Sequence, residues 1–318
     1  MKRVFWQNRV LLMSLYLLSS TILRAQTDID GLMMEKNAFC VGPMYSYSSW
    51  TNYWEGTLKR DNENLGRVST QMAGLMGNYG VNRKLNALFS IPWVKTNATA
   101  GTLHGLEGIQ DLSLFLKWKA LEKKMGYGRL SVIGVAGVSI PATNYVADYL
   151  PLSIGLRSKT ASLRLMADYI RQGLFVTGSA TYVIRANIEI DRNAYYTTTM
   201  HYTNVVDMPD AANFNLRAGF RNQRWVAEAV VNNWTTLGGF DITRNNMPFP
   251  SNRMNATTAG VNVKYVFPFY PKLSIVGGGN TAIAGRNMGQ STTVYGSFFY
   301  VFNLGHHEKK SNSGDHKK

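Results

Sequence analysis

Ten charged residues stand at alternate positions inside otherwise apolar runs: Asp111, Lys117, Lys119, Arg164, Asp168, Arg185, Arg217, Arg221, Glu228 and Lys264. In an extended strand every second side chain shares a face. Each charge therefore belongs to the polar face of its run, opposite an apolar one. The chemistry open to such a set is electrostatic. It can form a polar track or filter for solutes, or an ion-pair network that fills and stiffens a narrow interior. The basic excess favours anionic solutes, and the acids beside it offset that bias. A second group, Trp50, Tyr53, Trp54, Tyr195 and Tyr196, falls between the runs, with Tyr145, Tyr149 and Phe249. Aromatic loops of this kind offer either a vestibule for hydrophobic or aromatic solutes or a belt at a membrane interface.

Nucleophilic and metal chemistry finds no such set. The chain has no G-x-S-x-G, H-E-x-x-H, P-loop or helix-opening G-x-G-x-x-G pattern. His104 and His201 fall in expected loops without a partner implied by spacing. A single cysteine, Cys40, makes neither an internal disulfide nor a thiolate zinc cluster. His306, His307 and His316 sit in a basic tail that reads as a solvated end. The expectation is a non-enzyme with no catalytic residue, no cofactor, no metal and no nucleic-acid partner.

The elements that position these residues are strands. Leu112, Leu114, Leu116 and Trp118 alternate with polar neighbours; so do Leu163, Leu165, Ala167 and Tyr169, then Phe214, Leu216, Ala218 and Phe220, then Val261, Val263, Tyr265 and Phe267. Helical periodicity does not recur. The runs are long and end in aromatics, which suits a wall with lipid outside and a polar lumen inside. Only 17% of the 318 residues are charged, against about 25% in an average soluble domain. A lipid-facing half of every strand accounts for the deficit. No apolar run reaches the ~18–20 residues of a spanning helix, so the strands must close into a barrel to satisfy their edges.

Met1, Lys2 and Arg3 open a basic region followed by an apolar stretch, Val10 to Leu23, and Ala25-Gln26. This reads as a secretory signal peptide over 1–25. Its loss takes the net charge from +15 to +11. A short periplasmic or lumenal segment follows at 26–37, then the barrel at 38–304 and a basic periplasmic tail at 305–318. Strands are expected near 38–49, 68–79, 85–95, 109–119, 129–140, 160–170, 174–187, 211–221, 224–234, 255–267, 272–284 and 290–303. That is an all-β, closed antiparallel transmembrane barrel of about 12 strands, within a range of 10–14, with short periplasmic turns and longer extracellular loops. A thirteenth candidate, 150–157, is placed in a loop, because counting it would put the long stretch 188–211 on the periplasmic side. The Gly277-Gly278-Gly279 run marks a close-packed or kinked wall.

The segment Gly108-Ile109-Gln110-Asp111-Leu112-Ser113-Leu114-Phe115-Leu116-Lys117-Trp118 resembles the G-L-G-D-L-x-L-x-L-K-Y stretch of the meta-pathway of phenol degradation family of outer-membrane proteins. Ile91-Pro92-Trp93, Gly137-Val138-Ser139-Ile140-Pro141, Leu150-Pro151-Leu152-Ser153-Ile154-Gly155 and Gly173-Leu174-Phe175-Val176-Thr177-Gly178 fit the same pattern. Gln110 stands where the family has Gly. Asp30-Gly31-Leu32-Met33-Met34 looks like the opening of Bacteroidetes-type relatives. The resemblance implies an outer-membrane "transporter" that takes up aromatic or other apolar molecules. It brings no catalytic residues, and Asp111 is the one position carried over from it. The expected function is a porin-like channel in the bacterial outer membrane for passive uptake of small hydrophobic or aromatic solutes, with membrane lipid and those solutes as partners. The alternatives are a structural or adhesive barrel with a blocked lumen, or an outer-membrane hydrolase.

Overall fold

The computed structural model describes residues 27–243 and 246–304. The expected signal peptide and the 305–318 tail, with its three histidines, lie outside the described residues.

Twelve antiparallel strands follow one another around a closed wall. They are β1 (Ala38–Trp50), β2 (Val68–Asn82), β3 (Leu85–Ala98), β4 (Asp111–Met125), β5 (Gly128–Pro141) and β6 (Thr160–Arg171). The second half holds β7 (Leu174–Arg185), β8 (Ala211–Arg221), β9 (Trp225–Thr236), β10 (Asn255–Val266), β11 (Leu273–Arg286) and β12 (Thr292–Asn303). Each strand pairs with its neighbours in sequence. β1 closes the ring against β12, with Ala38 facing Asn303 and Ser49 facing Thr292.

Burial is inverted relative to a water-soluble sheet. On β4, Leu114, Leu116 and Trp118 are exposed while Lys117 is fully buried. On β6, Leu163 and Leu165 are exposed while Met166 and Asp168 are buried. In water each exposed apolar side chain would forgo about 1.5–3 kcal/mol of burial. Against lipid it forgoes none, and the polar face is free to line the interior.

The short turns 83–84, 126–127, 172–173, 222–224 and 267–272 lie at one end with both barrel termini; the connections 51–67, 99–110, 142–159, 186–210, 237–254 and 287–291 lie at the other. The 172–173 turn shows why such a connection can be tight. Gln172 has φ 50° and Gly173 φ 90°, the paired positive values of a type I′ hairpin. The parity argument for 150–157 holds, since no strand forms there.

Several strand ends differ from the sequence expectation by two or more residues, among them those of β2, β3, β4 and β7. The stretch 120–128 is not a loose turn. A bulge between Lys119 and Leu121 resets the register, and the ladder runs on to Met125 opposite Gly128. The charges there read as a turn, but a hairpin tip beyond the membrane carries outward charge without a lipid penalty. β7 stops at Arg185, and Ile188–Glu189 pairs instead with Val205–Val206. The long loops also hold small hairpins of their own, Asn52–Glu55 with Leu58–Asp61 and Tyr195–Tyr196 with Met200–His201. These fold back over the mouth and pair locally.

The β3–β4 seam is interrupted. Pairing runs from Leu85 opposite Trp118 to Ser90 opposite Ser113, then resumes with Trp93 opposite Ile109 of a short strand, Glu107–Ile109. Pro92 has no N–H to offer the ladder; its carbonyl accepts from the Gln110 N–H at 2.9 Å.

Candidate functional site

Seven of the ten alternating charges converge inside the barrel: Lys117, Arg164, Asp168, Arg217, Arg221, Glu228 and Lys264. β4 and β6 contribute the first three, β8 to β10 the rest. The Arg217 guanidinium reaches Glu228 at 2.5 Å across adjacent strands and donates from Nε to Asn215 at 2.9 Å. Asn262 also donates to Glu228, at 2.9 Å. Arg221 lies 3.4 Å from Asp168 and 4.0 Å above the Phe175 ring; Thr177 donates to Asp168 at 2.5 Å. On β11, Gly278 leaves room for the Tyr295 phenol of β12, which a Cβ there would meet at 2.5 Å. The glycine run thus serves close packing.

The segment 27–37 supplies partners for Lys117 and Arg164. Lys117 Nζ donates to the carbonyls of Thr27 at 2.9 Å and Asp30 at 2.6 Å, and to the Asp30 carboxylate at 3.0 Å. Arg164 donates to the carbonyl and the carboxylate of Asp28, both at 2.9 Å. Met34 packs with Ala38, Cys40, Phe299 and Val301. Between this segment and the wall formed by β1, β2 and β8–β12 a cavity of about 220 Å³ remains, lined by Met44, Met76 and Phe299 and by Arg217, Glu228 and Lys264.

Asp111, Lys119 and Arg185 do not join this cluster. Asp111 accepts from the Tyr145 hydroxyl at 2.6 Å, under the loop 142–159. Burial, reinforced by that hydrogen bond, pushes the Tyr145 phenol up. Lys119 pairs with Glu122 near the short-turn end of its strand, at the base of the projecting hairpin. Arg185 caps the opposite end of its strand, where its Nε donates to the Pro209 carbonyl at 2.5 Å. Alternation sorts faces but not depth, so strand-end residues were grouped with the interior.

At the long-loop end three adjoining cavities of about 420, 290 and 390 Å³ form a vestibule. Trp50 and Tyr53 line two of them, and Tyr195 and Tyr196 line the largest. Tyr195 stacks on Phe249 at 5.2 Å and on His201 at 4.8 Å. His201 Nε2 lies 2.9 Å from the Thr197 hydroxyl. Trp54 departs from the expectation: it is buried against Gly285 and anchors its hairpin. The spacing of aromatics did not single out Leu103, Pro151, Ile242 or Pro248, which recur around the cavities. A loop's apolar residues carry no periodicity to reveal a shared surface.

Asn287 latches the vestibule, and sequence reasoning missed it as well. Its Oδ1 accepts from the backbone N–H of Gly56 at 2.7 Å and of Ile242 at 3.1 Å, while its Nδ2 donates to Asp241 and to the Arg253 carbonyl, both at 2.6 Å. Three loops therefore meet on one side chain. Arg286 donates to both Asp241 oxygens, at 2.8 and 2.5 Å. Those hydrogen bonds hold the Asp241 carboxyl below its ordinary value, against the effect of burial and with help from Asn287. A depressed carboxylate adds stability that is present above its unfolded value of about 3.9 and lost as pH falls through the folded one. Amide exchange across 237–254, corrected for intrinsic rate, is expected to quicken between pH 5 and pH 3. Asp241→Asn should remove that acid response. Equal protection of the wild type at both pH values would show that the ion pair does not hold the loop.

No family model matches the chain, and no curated protein matches it. Solved structures do. The crystal structure of an outer membrane channel from Pseudomonas putida F1 is similar with a TM-score of 0.66 and 14% identity, covering 88% of this chain and 100% of that one. The translocator domain of the autotransporter NalP from Neisseria meningitidis gives 0.46, at 11% identity over 95% and 98% of the two chains. A Pseudomonas aeruginosa FadL homologue gives 0.36, at 10% identity over 86% and 91%. The fold is that of a bacterial outer-membrane β-barrel. The narrower likeness to the phenol-degradation family rests on the sequence motifs alone.

Proposed function

We propose that this barrel is a channel for passive uptake of small hydrophobic or aromatic solutes across the outer membrane. The vestibule carries the proposal. Its cavities are of the size that holds a small organic molecule, and Trp50, Tyr53, Leu103, Ile242, Pro248 and Phe249 give them an apolar lining. The two cavities beside Trp50 are mainly apolar, while the largest also carries Asp148, Arg192 and Asn246; Arg192 pairs with Asp148 at 2.5 Å and lies 5.7 Å above the Phe249 ring. An apolar solute would lose water there before meeting the polar lumen. The fold likeness to an outer membrane channel supports the same reading.

Uptake into liposomes containing the purified protein tests it. Monocyclic aromatics should enter faster than sugars of similar size, and Trp50→Ala with Phe249→Ala should erase the difference. Equal rates for aromatic, fatty and sugar solutes would sink the selective channel.

The second reading, a structural barrel with a blocked lumen, is favoured by residues 27–32, which occupy the same cations a solute would meet. Planar-bilayer recording separates the two. Discrete conductance steps count for the channel, and a silent bilayer counts for the filled barrel.

A further inference from the structure

The two ends of the barrel differ in charge. The turn segments 83–84, 122–129, 171–173, 222–224 and 267–272 carry eight Lys and Arg against one acid, Glu122. The six long connections carry eight against ten. Each of these segments, the turn counted with its flanking strand residues, has at least one cation. Arg83 and Lys84 share the first, and Lys123, Lys124 and Arg129 crowd the second; Arg171, Arg224 and Lys272 provide one each, all of them exposed. Lumenal pairing does not use them.

Aromatic rings accompany these cations. Tyr127, Phe269 and Tyr270 are 87%, 89% and 70% exposed, far more than any packing role requires. The Arg171 guanidinium lies 5.1 Å above the Tyr127 ring. Between the β4–β5 and β6–β7 turns an open notch of about 540 Å³ is bordered by Lys124, Tyr127, Arg129 and Gln172. Short turns face the periplasm in barrels of this class, so the collar lies at the level of the inner leaflet.

We infer that this collar binds the phosphate headgroups of anionic phospholipids, of the phosphatidylglycerol type, in the inner leaflet of the outer membrane. Charge complementarity selects an anion. The exposed rings select lipid over a soluble polyanion, because aromatic side chains gain by sitting at the headgroup level, whereas a hydrated polyanion gives them no apolar surface. The ladder extension past the Lys119–Leu121 bulge brings Lys124 and Arg129 to the notch that Tyr127 borders. The collar is separate from the vestibule and does not depend on what the channel carries.

The test is tryptophan quenching in bilayers of brominated lipid, since Trp118 and Trp225 are exposed on the lipid face near this end. Relative affinity for brominated phosphatidylglycerol over brominated phosphatidylcholine should be about fivefold, the effect of one well-placed cation. It should fall toward parity in K123Q/K124Q/R129Q and, with the wild-type protein alone, in high salt. R83Q/K84Q is a second variant, in a different turn, expected to lower the preference partway. Equal quenching by the two lipids would overturn the inference. So would a preference untouched by both variants and by salt, or tight binding of soluble polyphosphate without any lipid preference.

Discussion

Glu228→Ala is expected to destabilise the barrel by about 3–5 kcal/mol, the usual cost of removing one partner from a buried ion pair. The side chains of Arg217 and Glu228 are 9% and 3% exposed, so solvent does little to screen the charge left behind. Asn262 would lose its acceptor as well, adding an unsatisfied donor. Glu228→Gln keeps an oxygen for Asn262 and should cost less. Replacing both members, Arg217→Leu with Glu228→Leu, should recover much of the loss, because the desolvation of both ions disappears with them. Urea unfolding in liposomes measures all three. A Glu228→Ala variant within 1 kcal/mol of wild type, against the larger cost expected, would mean that lumenal water already solvates the pair.

Asp28→Asn with Asp30→Asn should raise the time the barrel spends in its highest-conductance state. The two carboxylates bind segment 27–32 to Arg164 and Lys117 through charge-assisted hydrogen bonds, which are roughly twice as strong as neutral ones. Neutralising both would weaken docking by about 2 kcal/mol, a shift of roughly 30-fold in the docked population. The amides keep the size of the acids and leave the backbone carbonyl contacts of Thr27, Asp28 and Asp30 in place. Planar-bilayer recording of both proteins in one lipid gives the answer. Indistinguishable step sizes and open times would show that the segment does not obstruct the lumen.

Period-two alternation made the wall legible. It placed Lys117, Arg164, Asp168, Arg217, Arg221, Glu228 and Lys264 on the inner face because a strand has only two sides. Loop parity then favoured twelve strands within a range of 10–14, and placed 150–157 in a loop. Depth along the strand left no mark in the pattern, so Asp111, Lys119 and Arg185 could not be told from true interior charges. Nor could the sequence pair Asp30 with Lys117, 87 positions away, or Asp28 with Arg164, 136 away. Such contacts join segments far apart in the chain, and no local preference encodes them. Asn287 was equally hidden, since its role comes from three loops arriving at one point.

Closure of the ring also imposes an order on assembly. The strands that meet at the seam, β1 and β12, stand at opposite ends of the barrel sequence, so their pairing carries the greatest loop-closure cost and must come late. Segment 27–37 enters directly ahead of β1, and its anchors Lys117 and Arg164 are on β4 and β6, among the first six strands. A nascent sheet that still has two free edges can take up the segment from the side. Once the seam is zipped, the only route inward is end-on through the short-turn mouth. The carboxylates of Asp28 and Asp30 are thus in place to neutralise Arg164 and Lys117 while the sheet is still open, before the last edge is sealed.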